Sequence, residues 1–298
     1  NRDVAKLAPA NQVVDSIISD LKTAEILLEN DPMNIVFNPG YVPTGFLDNR
    51  FNRMNKYAVK ALLARVYLWK GDKTNAAQKA QEVIDAEKSS GAKQFALITD
   101  NTQDKLGSTE LIFALNMDSE TFADVIDNDF YISRWSYYVL MDLNKLYAIF
   151  DTQNDGLNDM RIKEGLGFSI TTTGAYTLKY SQDNLISRAL KNTMPLIRLA
   201  EMYYIVAECT DDLDLAATCI SAVREARGIE KVTFASEAER MQHIEKEYRK
   251  EFYAEGQLWY FYKRLGYKTF LYCPIDNMTE ANYRFAIPDD EIILGNIN

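Results

Sequence analysis

Hydrophobic residues recur every three to four positions in three stretches near the start of the chain. In residues 13–28, Val14, Ile18 and Leu21 lie on one side of a predicted helix that ends before Asp31. Residues 55–70 and 76–88 have the same periodicity and are separated by the short polar segment 71–75. We therefore expect three helices, the last two of which form an antiparallel hairpin.

The hairpin pattern occurs a second time near the C-terminus. Residues 63–68, LARVYL, align with residues 199–204, LAEMYY, and the small residues from Ala76 to Ala86 align with those from Ala216 to Ala226. The offset rises from 136 to 140 residues, which predicts an inter-helix turn four residues longer in the second copy. Alanines that let helices approach, beside tyrosine and leucine, are typical of tetratricopeptide repeats. The sequence thus predicts a mainly α, tetratricopeptide-like helical-repeat scaffold.

Between the two copies the periodicity is lost, and residues 91–195 form an irregular, partly β excursion. Residues 94–98 and 110–115 predict short strands, residues 130–140 are crowded with aromatic side chains, and residues 151–174 are polar. Irregular insertions on a rigid scaffold often carry binding sites. We therefore divide the chain into a scaffold at 1–90, an excursion at 91–195 that is the candidate ligand region, and a scaffold with a C-terminal segment at 196–298.

The run from Glu245 to Arg264 combines charge, an aromatic cluster and one glycine. Ile244, Tyr248 and Phe252 recur every four residues and predict a helix with one buried stripe. Gly256 suits the left-handed residue that ends a helix. The second helix is predicted to be largely buried, with Trp259 in the core.

Four glutamates in this run invite comparison with the paired carboxylates of glycosidases: Glu245, Glu247, Glu251 and Glu255. Charges at this helical spacing more often form a solvated face with neighbouring cations, here Lys246, Arg249 and Lys250. We therefore predict a solvated face and no catalytic residue.

Composition and charge narrow the classes of function. Thirty-three basic and 43 acidic residues give a formal charge of −10, which disfavours nucleic acid and anionic membrane surfaces as partners. No stretch approaches the roughly 20 apolar residues that span a bilayer. His243 is the single histidine, which excludes sites that need two imidazoles, and the three cysteines, in no close motif, are predicted to be buried free thiols.

Metal and cofactor sites are not predicted. Residues 151–159 are similar to a calcium loop, but Ile162 occupies the position that requires a bidentate glutamate, so we predict a surface turn. No phosphate-loop or dinucleotide fingerprint occurs, and we expect no cofactor.

Aromatic side chains of the excursion are the candidate ligand-binding residues. Flat rings with polar edges suit stacking on the C–H face of a sugar. The alternative for each residue is a place in the core. The candidates are Tyr131, Trp135, Tyr137 and Tyr138, with Tyr41 in the first long loop and Tyr283 near the C-terminus.

Several segments, in order along the chain, resemble the SusD/RagB family of Bacteroidetes outer-membrane nutrient-binding lipoproteins. The run from Glu247 to Arg264 resembles the hallmark E-x-R-x-E-F-x-x-E-G-x-x-W-x-x-x-x-R of that family. The other similar segments are residues 20–28 and 58–71 of the first repeats, the strand at 109–113, the D-x-R turn at 159–161, the last repeat at 195–201 and the closing segment at 287–296.

The resemblance implies a SusD-like α-α superhelix and a non-catalytic receptor. Such a receptor would capture an oligosaccharide at the outer-membrane surface and pass it to a SusC-like TonB-dependent transporter. It implies a cell-surface lipoprotein whose signal peptide, lipidated cysteine and first helices precede this chain, so that contact with the membrane is through that anchor alone. Two alternatives remain open: a peptide-binding RagB-like receptor, and a tetratricopeptide-like scaffold that binds protein partners.

Overall fold

The computed structural model describes residues 8–33, 45, 47, 50, 53–102, 104–126, 130, 140–182 and 190–294. The three predicted N-terminal helices are confirmed as α1 (Ala10–Leu27), α2 (Lys56–Lys70) and α3 (Lys73–Ile84). Asn55 caps α2 by accepting hydrogen bonds from the backbone N–H groups of Tyr57 and Ala58. Its amide also donates to the Ile112 carbonyl at 2.9 Å, which fixes the start of α2 to the excursion.

The excursion contains short strands and short helices. They are β1 (Leu111–Asn116), α4 (Ser119–Val125), α5 (Leu143–Phe150), β2 (Phe168–Ile170), β3 (Ala175–Thr177) and β4 (Thr193–Arg198). β1 pairs antiparallel with β4, and β2 pairs antiparallel with β3. The predicted strand at 110–115 is therefore confirmed.

The predicted strand at 94–98 is wrong. This segment pairs with no strand, because its N–H groups bond to separate acceptors: Ala96 donates to the Thr109 carbonyl at 3.0 Å, and Ile98 donates to the Glu110 carboxylate at 2.7 Å. A segment whose N–H groups bond to separate acceptors can have the apolar composition of a strand without pairing as one.

The second copy consists of α6 (Leu199–Cys209) and α7 (Leu213–Ala226), followed by α8 (Glu237–Glu251), α9 (Gln257–Leu265) and α10 (Asp289–Leu294). The inter-helix turn has three residues, against two between α2 and α3, so the predicted four-residue lengthening is wrong. The other three residues extend α6, which ends at Cys209, whereas an offset of 136 from Lys70 gives residue 206.

The two helical hairpins pack directly on one another. α3 and α2 contact α6, and the main hydrophobic core runs continuously through both copies. Arg65 of α2 donates two hydrogen bonds, of 2.7 and 2.6 Å, to the carboxylate of Glu201 in α6. Because Arg65 and Glu201 occupy the same register position in their copies, the repeat places opposite charges face to face.

The turn between α8 and α9 has the conformation that its glycine predicts. Gly256 has φ +73°, in the left-handed region. α9 is only half buried, contrary to the prediction: Phe261 and Tyr262 are in the core, but Tyr260 is 56% exposed. Trp259 is partly buried, and its ring centroid lies 5.2 Å from that of Tyr283.

Candidate functional site

The carboxylates of α8 are buried, so the predicted solvated face is wrong. Glu247 is 0% exposed and Glu251 is 2% exposed, and the side chain of Glu255, in the following turn, is 6% exposed. The spacing of four places Glu247 and Glu251 on one side of the helix. That side faces the excursion, which supplies cations that the local sequence pattern does not reveal.

Twelve charged side chains form one connected set of ion pairs, which we call the α8 ion cluster. Six are cations, so that their charge cancels that of six carboxylates, and the interior carries no net charge from them. The members are Arg161, Lys179, Arg198, Arg224, Arg227 and Lys250, with Glu110, Asp155, Asp159, Glu247, Glu251 and Glu255.

Glu251 is the centre of this cluster. Its carboxylate accepts hydrogen bonds from Arg161 at 2.9 Å, from Arg198 at 2.5 Å and from Arg227 at 2.9 and 3.1 Å. Charge-assisted bonds of this length are the strong ones, and they compensate for the cost of burying charge only when the geometry is good. Three guanidinium groups from three different elements therefore depend on one carboxylate.

Burial and neighbouring cations act in opposite directions on these carboxylates. Burial alone would raise the pKa of Glu247, but the charges of Arg161, Lys250 and Arg224 outweigh it and lower that pKa to about 2. For Glu251, Arg227, Arg198 and Arg161 likewise overcome burial and hold the pKa well below its usual range. Carboxylates that stay ionised at neutral pH have no proton to donate, so Glu247 and Glu251 do not suit the role of a general acid.

The cluster joins the excursion to the helical scaffold. Arg161 and Asp159 come from the predicted D-x-R turn, Glu110 precedes β1, and Arg198 ends β4. Lys179, just after β3, donates to the carbonyls of Glu251 and Tyr253 and to the Glu255 carboxylate. Segments distant along the chain are thus held against α8 and the turn that follows it.

We expect the free energy of unfolding to fall as the pH drops from 4.5, the ordinary value of a glutamate pKa, towards the folded pKa of Glu247, about 2. A carboxylate whose pKa is lower in the folded chain stabilises the fold above the unfolded pKa, and this stability is lost as the pH falls through the folded value. Urea unfolding at a series of pH values tests this expectation. A free energy that stays constant down to about pH 3 would contradict it.

Described residues on both sides of the aromatic-rich segment 131–139 are held in place by contacts with the rest of the chain. At its start, the Phe130 ring packs on Tyr180 with centroids 4.5 Å apart, and the Tyr180 hydroxyl donates to the Ala254 carbonyl at 2.8 Å. After it, Met141 exchanges backbone hydrogen bonds of 2.7 and 2.9 Å with Ala175 at the start of β3. The first of these points lies beside the α8 ion cluster in sequence, since Lys179 precedes Tyr180 and Ala254 precedes Glu255.

Of the predicted ligand-binding residues, one lies within the described part of the chain. Tyr131, Trp135, Tyr137, Tyr138 and Tyr41 lie outside the described residues. Tyr283 is 6% exposed and its hydroxyl donates to the Tyr267 carbonyl at 2.7 Å. It nevertheless lines a surface cavity of about 770 Å³ between the end of α9 and residues 277–284.

The structure also tests the predictions for the calcium-like turn, the cysteines and membrane-spanning segments. In the turn at 151–159, Asp155 pairs with Arg224 and Asp159 with Arg161, so cations occupy the carboxylates that a calcium ion would need. Among the described residues, no group of three or more His, Cys, Asp or Glu side chains is arranged to hold a metal ion. The three cysteines are free, as predicted, and Cys209 and Cys219 are buried, whereas Cys273 is only partly so. Within the described ranges, no helix is long and apolar enough to cross a bilayer.

The fold and the site together define a class of protein: a helical-repeat scaffold whose irregular insertion is fixed in place by a buried, electrically balanced ion cluster. Residues 167–291 match the model of the SusD family, and this range contains α8 and its carboxylates. The resemblance to the SusD/RagB family is thereby confirmed over these residues. No curated protein sequence matches it.

Solved structures share this fold at low sequence identity. A SusD superfamily protein from Bacteroides vulgatus ATCC 8482 has a TM-score of 0.67 at 22% identity, covering 98% of this chain and 65% of its own. A SusD-like protein from Bacteroides fragilis NCTC 9343 has a TM-score of 0.63 at 19% identity, covering 100% and 72%. A laminarin-binding SusD-like protein has a TM-score of 0.58 at 19% identity, covering 87% and 62%. The chain thus spans about two thirds of the length of these structures.

Proposed function

We propose that this protein is a non-catalytic receptor that captures oligosaccharides at the outer-membrane surface for nutrient uptake. The observation that carries the proposal is the match of residues 167–291 to the SusD family. A structural neighbour described as laminarin-binding supports a carbohydrate ligand. The receptor would be a cell-surface lipoprotein that delivers the sugar to a SusC-like TonB-dependent transporter.

The ligand would be held by the aromatic-rich segment 131–139. Its candidate stacking rings are Trp135, Tyr131, Tyr137 and Tyr138, with Tyr41 as a further contact. The anchoring of Phe130 and Met141 supports this assignment, because a binding segment tethered at both ends loses less conformational entropy when a ligand binds. Tyr283 would be a minor contact, since it is 6% exposed and its hydroxyl already donates to the Tyr267 carbonyl.

Replacing Trp135 with alanine should weaken sugar binding by about 2 kcal/mol, a roughly 30-fold increase in Kd, if its indole is a stacking anchor. The change is measured by calorimetric titration of the variant with an oligosaccharide that the unmodified protein binds. Trp69→Ala is the matched control, because Trp69 is an exposed tryptophan on α2 of the repeat scaffold. An unchanged affinity for Trp135→Ala, with a loss for Trp69→Ala, would contradict this assignment and place the sugar on the repeat surface.

A further inference from the structure

A polar groove runs along one side of α8. It consists of two adjoining cavities of about 460 and 550 Å³, and both are lined by Asp151 and Lys246. The turn at 151–158 and the loop at 230–232 line the first cavity, and the loop at 269–272 lines the second. We call this feature the α8 groove. Its lining residues come from both the excursion and the scaffold.

Lys250 lines the α8 groove with unused hydrogen-bonding capacity. It is 3% exposed, and within the described chain its hydrogen-bond partner is Glu247 at 3.5 Å, the limit of such a bond. Glu247 already accepts shorter bonds, of 2.9 Å from Arg161 and 2.8 Å from Arg224. An ammonium group has three donors, and burying them without acceptors is costly. An oxygen of a molecule in the groove would supply what Lys250 lacks.

Lys246 presents a second weakly paired ammonium at the same place. It reaches Asp151 at 3.3 Å, longer than the usual 2.7–2.9 Å of a charge-assisted pair, and its side chain is about half exposed. Asp151 also accepts from the Asn154 amide at 2.6 Å. Two lysines one helical turn apart, each held loosely by an acid, match a ligand with a single carboxylate better than a fully uncharged one.

The remaining lining suits the rest of a sugar ring. Asn154 and Asn158 are exposed on the excursion wall and can both donate and accept hydrogen bonds with hydroxyl groups. Burial, together with the charges of Arg224 and Lys246, lowers the pKa of His243 below its usual value. At the other end, Tyr272 lines the groove and is 45% exposed, and the Lys145 ammonium lies 5.4 Å from its ring centroid.

We propose that the α8 groove binds a uronic acid residue of an oligosaccharide, with the carboxylate on Lys250 and Lys246 and the hydroxyls on the amides of the excursion wall. This inference rests on the proposed function, because it names the class of glycan that such a receptor would take. The chain charge of −10 opposes a polyanion. The preferred ligand therefore carries isolated uronate residues among neutral sugars.

The test is a calorimetric comparison of paired oligosaccharides that contain glucuronate or galacturonate, each beside its carboxyl-reduced analogue. Reduction replaces the carboxylate with a neutral alcohol and keeps the rest of the ligand. We expect at least about tenfold weaker binding of the reduced form, the effect of losing a hydrogen bond to a charged group. Lys250→Met and Lys246→Gln should each remove most of this preference.

Lys263→Gln is the matched control, since Lys263 lies in the separate cavity beside Tyr283. It should leave the preference for the acidic sugar intact. Lys246→Gln keeps the test valid if Lys250→Met alters folding, because Lys246 is half exposed and outside the α8 ion cluster.

Equal affinity for acidic and reduced sugars would overturn the uronate inference and leave oligosaccharide capture standing. Loss of the preference in Lys263→Gln alone would also overturn it, as would displacement of the sugar by acidic peptides of equal affinity. Binding of no oligosaccharide at all would contradict the proposed function itself.

Discussion

Replacing Glu251 with glutamine is expected to lower the free energy of unfolding by about 4 kcal/mol. The neutral amide removes the charge that Arg161, Arg198 and Arg227 share, and leaves three buried guanidinium groups short of one counter-charge. Removing one partner of a buried ion pair is costly because the other charge stays buried. Urea unfolding followed by circular dichroism measures the loss.

Glu245→Gln is the matched control on the same helix. Glu245 pairs with Arg249 four residues later at 2.8 Å, near the surface, and accepts from the Tyr262 hydroxyl at 3.1 Å. Its replacement should cost about 1 kcal/mol, as expected for a partly exposed pair. Similar losses for the two variants would show that the cluster contributes no more than a surface ion pair.

Replacing Gly167 with alanine is expected to cost about 3 kcal/mol or more. A Cβ at this position would lie 1.7 Å from the carbonyl oxygen of Arg161 and 2.3 Å from its carbonyl carbon. These are backbone atoms, so the turn must move, and Arg161 would be drawn away from Glu247 and Glu251. The expected result is a lower midpoint in urea.

Gly165→Ala separates the steric effect from the conformational one. Gly165 has φ +73°, but a Cβ there would meet no atom within 4 Å. Its replacement should cost about 1 kcal/mol, the penalty for a left-handed alanine. If Gly165→Ala were the more damaging variant, close approach of the backbone at Gly167 would not be what holds Arg161 in place.

The repeat scaffold could be predicted from the sequence because its signal is local. Periodic apolar residues, alanines in register and a polar break at 71–75 are sufficient for α2 and α3, and the same pattern identifies α6 and α7. The excursion gave weaker signals. α5 has only eight residues, and the segment at 94–98 has the composition of a strand but satisfies its N–H groups singly.

The α8 ion cluster could not be predicted from the local pattern, because glutamates spaced four residues apart give the same pattern on a solvent-exposed face as on a buried one. The burial of this face depends on the ion-pair partners, and two of the three partners of Glu251, Arg161 and Arg198, are 90 and 53 residues away. The conjunction of the hallmark at 247–264 with the D-x-R turn at 159–161 was the available signal. Its physical meaning is that the two motifs form one cluster.

The most direct test of the account is a glycan array followed by calorimetry on the intact protein, with a peptide library in parallel. The account predicts saturable binding of an oligosaccharide, weakened by Trp135→Ala and unaffected by Trp69→Ala. Binding of peptides with no binding of any carbohydrate would contradict it.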